Sequence, residues 1–224
     1  MKSKKTLIAL AICTPFLLAC ADKADDAYAP ADSSATRAAT NDDTALNTTG
    51  TVTADIGPDS PYAEGAPPPS REPDVIYVPT PEPVVDAMLN LAGVKEGDVL
   101  YDLGSGDGRI PIAAAQRFGV RGVGIDINPV RVREANANAE TAGVTDLVTF
   151  KEADLFEEDI SEASVVTLYL LQSLNVKLRP KLLAELKPGT RIVSHAFDMA
   201  DQWEPEQTQE VDGTRIYLWT VPER

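Results

Sequence analysis

The stretch from Val99 to Ile110 constrains the fold of this chain more than any other. It reads Val-Leu-Tyr-Asp-Leu-Gly-Ser-Gly-Asp-Gly-Arg-Ile, an apolar run that ends in a turn of glycines and acidic residues and then enters a helical pattern. A buried strand that feeds a helix N-terminus through such a turn forms a binding corner for a small molecule. We therefore predict a ligand site in this turn.

The spacing of the glycines narrows the class of ligand. They fall at positions 104, 106 and 108, whereas a dinucleotide-binding turn would need glycine at position 109, which is Arg109. The turn therefore suits a nucleoside ligand that has no pyrophosphate. The block resembles the first motif of class I S-adenosylmethionine (SAM) methyltransferases, which implies SAM as the cofactor. By this resemblance, the residues that bind it are Asp102, Gly104, Ser105, Gly106, Asp107 and Gly108.

Helical and strand patterns alternate along the chain from residue 81 onward. The patterns predict helices over residues 81–91, 109–118, 129–142 and 176–186, and strands over residues 98–103, 122–127, 147–151, 163–171 and 191–196. This alternation predicts an α/β fold with a doubly wound and mostly parallel sheet. The resemblance to class I SAM methyltransferases implies that the sheet is seven-stranded and of Rossmann-like class. Residues 214–221 predict an antiparallel C-terminal hairpin at the sheet edge. Ligands of such sheets bind at the carboxyl ends of the strands.

Two further acidic residues follow predicted strands. Asp126 ends the second strand and precedes Ile127, and an acid at this position can accept both ribose hydroxyls. Asp154 and Leu155 come just after the third strand. In methyltransferases an acid at that position contacts the adenine amino group, so the resemblance implies this role for Asp154. We predict that Asp126, Ile127, Asp154 and Leu155 bind the cofactor.

The flanking segments resemble one family in particular. Tyr77-Val-Pro-Thr-Pro81, Val165 to Leu171 and Arg191 to Phe197 are similar to the protein-lysine methyltransferases that include the mitochondrial enzyme modifying the ATP synthase c-subunit. The resemblance covers about residues 75–200. It implies methyl transfer to a lysine amine, and it places Tyr77, Thr80 and Pro81 near the methionine end of SAM.

The acceptor site is predicted at the end of the fourth strand. Tyr169, Gln172 and Asn175 are candidate residues of the slot for the amine, and the Tyr169 ring could face an ammonium group. We predict catalytic roles for Tyr169 and Asn175, with packing of Tyr169 in the core as the alternative. His195, the only histidine, is either a general base or a structural residue. The acidic run at residues 157–162 is either a solvated loop or an attractor for a cationic substrate.

The N-terminal third of the chain has a different character. Residues 1–19 begin with lysines, continue in a short apolar stretch and resemble a bacterial lipoprotein signal peptide that ends before Cys20. Residues 20–70 are rich in Ala, Asp, Ser, Thr and Pro, which predicts a disordered acidic tether. The resemblance implies that the remaining residues, 71–224, form a SAM-dependent methyltransferase domain. We expect lipidation of Cys20 and export to the periplasmic side of the envelope, at the outer membrane, with a lipid anchor as the only membrane contact.

Charge and composition limit the partners. Residues 71–224 hold 15 Lys and Arg residues against 26 Asp and Glu residues, a net charge of −11, which argues against a nucleic acid substrate. The chain has no cluster of Cys and His residues, so we predict no metal site. We expect a monomer that acts on a cationic protein segment. A small-molecule acceptor, or a lipid-anchored SAM-binding protein without turnover, remains as an alternative.

Overall fold

The computed structural model describes residues 71–224, which form one mixed sheet with helices on both faces. The predicted signal peptide, Cys20 and the tether lie outside the described residues. The strands are β1 (Val99–Leu103), β2 (Arg121–Asp126), β3 (Val148–Glu152), β4 (Val165–Leu168), β5 (Arg191–His195), β6 (Gln207–Val211) and β7 (Thr214–Thr220). The helices are α1 (Glu82–Leu91), α2 (Arg109–Phe118), α3 (Pro129–Ala142) and α4 (Gln172–Glu185), with a 3-10 turn at Ala200–Gln202.

The strand order is β3-β2-β1-β4-β5-β7-β6. The first five of these strands are parallel, whereas β7 pairs antiparallel with both β5 and β6. This arrangement confirms the predicted class, including the antiparallel C-terminal hairpin. The order also reverses direction at β1, because the chain moves outward to β2 and β3 and then returns to β4. Such a switch point opens a crevice at the carboxyl ends of the neighbouring strands.

Alternating side chains of each strand bury two different cores. Leu100 of β1 packs with Val84, Met88 and other residues of α1 and α2, while Leu103 faces the opposite side with Leu178 of α4. The helices α1, α2 and α3 therefore cover one face, and α4 covers the other together with Trp219 of β7. Both sides of β1 and β4 are buried, as expected for central parallel strands.

The boundaries differ from the prediction mainly around β4 and α4. The strand β4 ends at Leu168, so Tyr169 leaves the sheet at its carboxyl edge. The helix α4 starts at Gln172, four residues before the predicted start, because the carbonyl of Leu171 accepts the amides of Leu174 and Asn175. The first turn of α4 is mostly polar and lacks the helical spacing of apolar residues, so its sequence is typical of a loop. Among residues 71–224, no helix has the length and apolar character that crossing a bilayer requires.

Candidate active site

The turn after β1 is fixed to the neighbouring strand. The amides of Gly104 and Ser105 both donate to the carbonyl of Ile125, over 2.8 and 3.0 Å. Gly108 has a left-handed φ of 79° and caps the start of α2. A Cβ at that position would lie 2.5 Å from a ring carbon of Phe150, so the backbone conformation and the packing both require glycine there.

A cavity of about 920 Å³, counting its open mouth, lies at the carboxyl ends of the parallel strands. This volume is within the range of small-molecule and cofactor sites. Most of the residues predicted to bind the cofactor line it, and so does Tyr169. These are Tyr77, Thr80, Asp102, Gly104, Ser105, Asp107, Asp126, Ile127, Asp154 and Leu155.

Asp102 and Ser105 supply polar atoms at the deep end of this cavity. The Asp102 carboxylate is buried and accepts a hydrogen bond of 2.8 Å from the hydroxyl of Thr167. Burial, with smaller contributions from the nearby carboxylates of Asp126 and Asp107, raises the pKa of Asp102 to about 7, and the hydrogen bond from Thr167 opposes this shift. The Ser105 hydroxyl is also buried, and it has no hydrogen-bond partner within the described part of the chain. A buried hydroxyl that lines a cavity without a partner is suited to a polar ligand.

Asp126 is held in place by the glycine turn. One of its carboxylate oxygens accepts the amide of Gly106 at 2.8 Å, and the other accepts the amide of Asn128 at 2.9 Å. Burial raises the pKa of Asp126, while these two amide bonds oppose the shift. Each oxygen keeps a second lone pair for a ligand hydroxyl. The strand β2 thus presents a fixed carboxylate at its end, next to Ile127.

Asp154 forms an ion pair that the sequence does not predict. Its carboxylate accepts Nε of Arg71 at 2.8 Å and the amide of Phe156 at 2.9 Å. Arg71 also pairs with Asp74 at 2.8 Å. The bond to Arg71 is the main reason why the pKa of Asp154 lies below its usual range. Arg71 and Asp154 are 83 positions apart, and a single arginine in a polar segment gives no sequence signal of this contact.

A second arginine on the cavity wall was also not predicted. The guanidinium of Arg131, in the first turn of α3, lies 4.7 Å from the centre of the Tyr77 ring. Such a contact is a cation–π interaction. Burial raises the pKa of Tyr77 to about 12, so the phenol stays protonated at neutral pH. Tyr77 and Arg131 together close one side of the cavity over the glycine turn.

The opposite side of the cavity is formed around His195. Its Nδ1 atom lies 3.2 Å from the hydroxyl of Thr80, and its ring centre lies 3.9 Å from that of Tyr169. Burial lowers the pKa of His195 to about 4, so the imidazole is neutral at physiological pH. Thr80 and Tyr169 line the cavity, whereas His195 lies behind them. The geometry therefore favours the structural alternative for His195 over a general base.

Asn175 does not occupy the position that the sequence predicted. Its side chain is fully buried and lies outside the cavity lining. The amide nitrogen donates to the hydroxyl of Ser194 and to the carbonyl of Phe197, at 3.1 and 3.0 Å. Asn175 therefore supports the loop after β5 rather than contacting an acceptor. Gln172 is exposed and donates to Asp198 at 2.5 Å.

Three other predictions need adjustment. Pro81 is exposed outside the cavity lining, where its carbonyl accepts the first amides of α1. Gly106 and Gly108 shape the turn but are not among the residues that line the cavity. In the acidic run, Glu158 is paired with Lys151 and Glu162 with Arg121, and the run lies outside the cavity lining. The run therefore fits a solvated surface rather than an attractor at the site.

The comparisons with known proteins agree with this geometry. A family model described as the ANTKMT methyltransferase domain matches residues 102–207. A protein-lysine N-methyltransferase of Saccharolobus islandicus is 51% identical over 159 residues, which cover 69% of this chain and 98% of the relative. The chain belongs to the same family as this archaeal methyltransferase. It is a SAM-dependent methyltransferase.

Other relatives of this methyltransferase share less of their length with it. The adenine nucleotide translocase lysine N-methyltransferase of mouse is 34% identical over 66% of this chain and 63% of its own. A crystal structure described as an RNA methyltransferase from Salinibacter ruber, in complex with S-adenosylhomocysteine, is 62% identical. The matched region covers 66% of this chain and 95% of the Salinibacter protein, with a TM-score of 0.64.

The cavity of the methyltransferase fits the chemical groups of SAM. Asp126 can accept ribose hydroxyls, and the unpartnered Ser105 hydroxyl and the buried Asp102 carboxyl can bind the polar groups of the ligand. Thr80 and Tyr169 stand on the side opposite the Asp126 carboxylate. Within residues 71–224, no group of three or more His, Cys, Asp or Glu side chains is placed to hold a metal ion.

Proposed function

We propose that this methyltransferase transfers the methyl group of SAM to the side-chain amine of lysine in a protein. The observation that carries the proposal is the archaeal relative, which is named a protein-lysine N-methyltransferase and of which this chain covers 98% at 51% identity. The mouse relatives are also named lysine N-methyltransferases, and the chain spans 63% and 52% of their lengths.

The side chains around Tyr169 support an amine acceptor. Bound SAM supplies a methyl group on a positively charged sulfur. A lysine amine must first lose its proton, which at pH 7 costs about 4–5 kcal/mol for an unperturbed pKa. Tyr169, Leu170 and Leu174 present mostly apolar surface to the cavity, and desolvation by such surface lowers the pKa of a lysine. The Tyr169 ring, backed by His195, can hold the amine in one orientation.

An RNA acceptor is the competing function, because the Salinibacter structure carries that description. The charge of this chain opposes it. The domain has a net charge of −11, and the three guanidinium groups that line the cavity are bound to carboxylates: Arg71 to Asp74 and Asp154, Arg109 to Asp107, and Arg131 to Glu134. Phosphate groups are bound by cationic side chains that are free to pair with them.

The test is incubation of the purified full chain with methyl-labelled SAM and an envelope extract, then with total RNA in a parallel reaction. We expect label on lysine residues of protein, located by mass spectrometry. The Asp126→Ala variant, in which we expect weaker SAM binding, serves as the control and should incorporate less label. Label confined to RNA or to small metabolites would replace the lysine acceptor by that class of substrate.

We further propose that the chain is exported and lipidated at Cys20. The support is in the sequence: the lysines near the start, the short apolar stretch and Leu17-Leu18-Ala19-Cys20. Intact mass measurement of the membrane fraction tests it, with a Cys20→Ser variant as control. A soluble chain that retains Met1 would contradict the proposal.

A further inference from the structure

The large apolar side chains that the described residues expose are concentrated at the cavity. They are Ile76, Tyr77, Val78 and Leu171, with exposed fractions of 86, 39, 50 and 46%. The first three line the cavity, and Leu171 follows Leu170, which also lines it. We call Ile76, Val78 and Leu171 the apolar rim. Apolar surface that is exposed in one place marks an interaction site.

The outward direction of Ile76 and Val78 is fixed by the backbone around them. Val75 packs against the main core and Tyr77 packs on the glycine turn, while Ile76 and Val78 on either side of Tyr77 are exposed. Pro79 restricts the backbone on one side. The segment is also held by the Thr80 hydroxyl at His195. The exposure is therefore built into the structure around the mouth of the cavity.

The charges beside the rim indicate the kind of partner. Arg71 is neutralised by Asp74 and Asp154, so it offers little to an anion. Asp198 lies beside the start of α4, where Gln172 binds it next to Leu171. Leu171 of the apolar rim thus lies close to an acidic side chain, Asp198, and this combination complements a segment that is both apolar and positively charged.

We propose that the apolar rim binds the acceptor segment and selects lysines that have aliphatic or aromatic neighbours in sequence. This inference rests on the proposed lysine methylation and deepens it. When the target lysine enters the cavity beside Tyr169, the residues before and after it lie against Ile76, Val78 and Leu171. Each apolar neighbour that loses contact with water there adds to the affinity for the acceptor.

The test compares two peptides with the full chain. Both carry one central lysine and the same net charge, but one has Leu and Val beside the lysine and the other has Ser and Thr. We expect kcat/KM to be about tenfold higher for the apolar peptide. The Ile76→Ser and Leu171→Ser variants should each lower the ratio of kcat/KM between the apolar and the polar peptide about threefold or more, because each removes one of the contacts. Ala184→Ser, an exposed position further along α4, is the matched control and should leave the ratio unchanged.

The outcomes separate the two proposals. Equal kcat/KM for both peptides with the wild-type chain would overturn the rim as a specificity site while leaving lysine methylation intact. Methylation of neither peptide, with SAM bound, would instead contradict the proposed function.

Two other occupants of the apolar rim give different results. A rim that binds lipid would show binding of the Cys20→Ser chain to vesicles, and Leu171→Ser would reduce this binding. A rim that joins two copies would show a dimer that Leu171→Ser dissociates. Either of these last results, with an unchanged peptide ratio, would also overturn the inference.

Discussion

The ring of Tyr77 lies directly against the backbone of Gly106. A Cβ at position 106 would lie 2.7 Å from Cδ2 of the ring and even closer to Cε2. Real Cβ atoms do not approach carbon atoms so closely, since the repulsion exceeds any packing gain. The N-terminal segment and the glycine turn therefore fit together only because position 106 has no side chain. This relationship links a residue before α1 to the loop that is predicted to bind the cofactor.

We expect Gly106→Ala to weaken SAM binding by about tenfold or more, because the new methyl group displaces Tyr77 from the cavity wall. Isothermal titration calorimetry with SAM measures the effect. Gly119→Ala is the matched control. Gly119 also has a left-handed φ, 64° against 53°, but a Cβ there meets nothing within 4 Å. Equal losses of affinity in the two variants would show that backbone strain, rather than the contact with Tyr77, is responsible.

We expect Asp126→Ala to weaken SAM binding by at least about tenfold. Hydrogen bonds to a charged group contribute about 1.5–3 kcal/mol each, and the carboxylate can accept two from the ribose. The variant also leaves the amides of Gly106 and Asn128 without their acceptor. Calorimetry gives the dissociation constant, and circular dichroism checks the fold. Asp146→Ala, at an exposed position, is the control. A change below about threefold would remove Asp126 from the ribose site.

We expect Tyr169→Phe to lower kcat about tenfold while SAM binds as before. The substitution keeps the ring against His195 but removes the hydroxyl that can bind the acceptor amine, and such a bond contributes about 1–1.5 kcal/mol. Single-turnover methylation of a lysine peptide gives the rate, and calorimetry gives the SAM affinity. Tyr217→Phe, on β7, is the control. An unchanged rate would exclude the Tyr169 hydroxyl from the reaction.

The buried Asp102 makes stability depend on pH. Burial raises its pKa from 3.8 to about 7. Between these values the folded protein retains a proton that the unfolded chain releases, so the free energy of unfolding falls as pH rises and becomes level above about pH 7. We expect Asp102→Asn to lack this contribution. Its stability relative to the wild type should increase by a few kcal/mol, about 4 at most, from about pH 4 to pH 7.

Urea denaturation of both proteins across this range measures the difference. The comparison is needed because His195 acts in the opposite direction. Its pKa is lowered from 6.5 to about 4, so its neutral form contributes stability above about pH 6.5 that is lost as pH falls toward 4. Since both proteins contain His195, its contribution cancels in the difference. A difference that does not vary with pH would show that Asp102 keeps an ordinary pKa.

The sequence predicts the parts of this site that depend on neighbours along the chain. Asp102, Asp126 and Asp154 could be placed because each ends or follows an apolar strand, and parallel strands bring such ends together. Arg71 and Arg131 could not, because their partners Asp154 and Tyr77 are distant in sequence and no periodic pattern connects them.

Asn175 is a residue that the sequence predicted in the site but that the structure places outside the cavity lining. Its position near the end of β4 indicated the acceptor site, and the predicted helix began only after it. The helix α4 starts four residues earlier than predicted, so Asn175 lies in its first turn. Successive side chains of a helix are about 100° apart, and this geometry sets the direction of Asn175. A boundary error that hardly affects the fold can therefore move a residue from the cavity to the core.

The two ends of the described chain lie at opposite ends of the parallel strands. Arg71 binds Asp154 beyond the carboxyl end of β3, at the cavity, whereas Arg224 donates to the last carbonyls of α4, among them that of Leu186 at 2.8 Å, where the chain returns to the start of β5. The mouth of the cavity and the C-terminus of the domain therefore face in different directions. If it is attached to a bead or sensor chip through Arg224, the mouth faces the solution. If it is attached through residue 71, the linker itself stands at the entrance and competes for space with every incoming substrate.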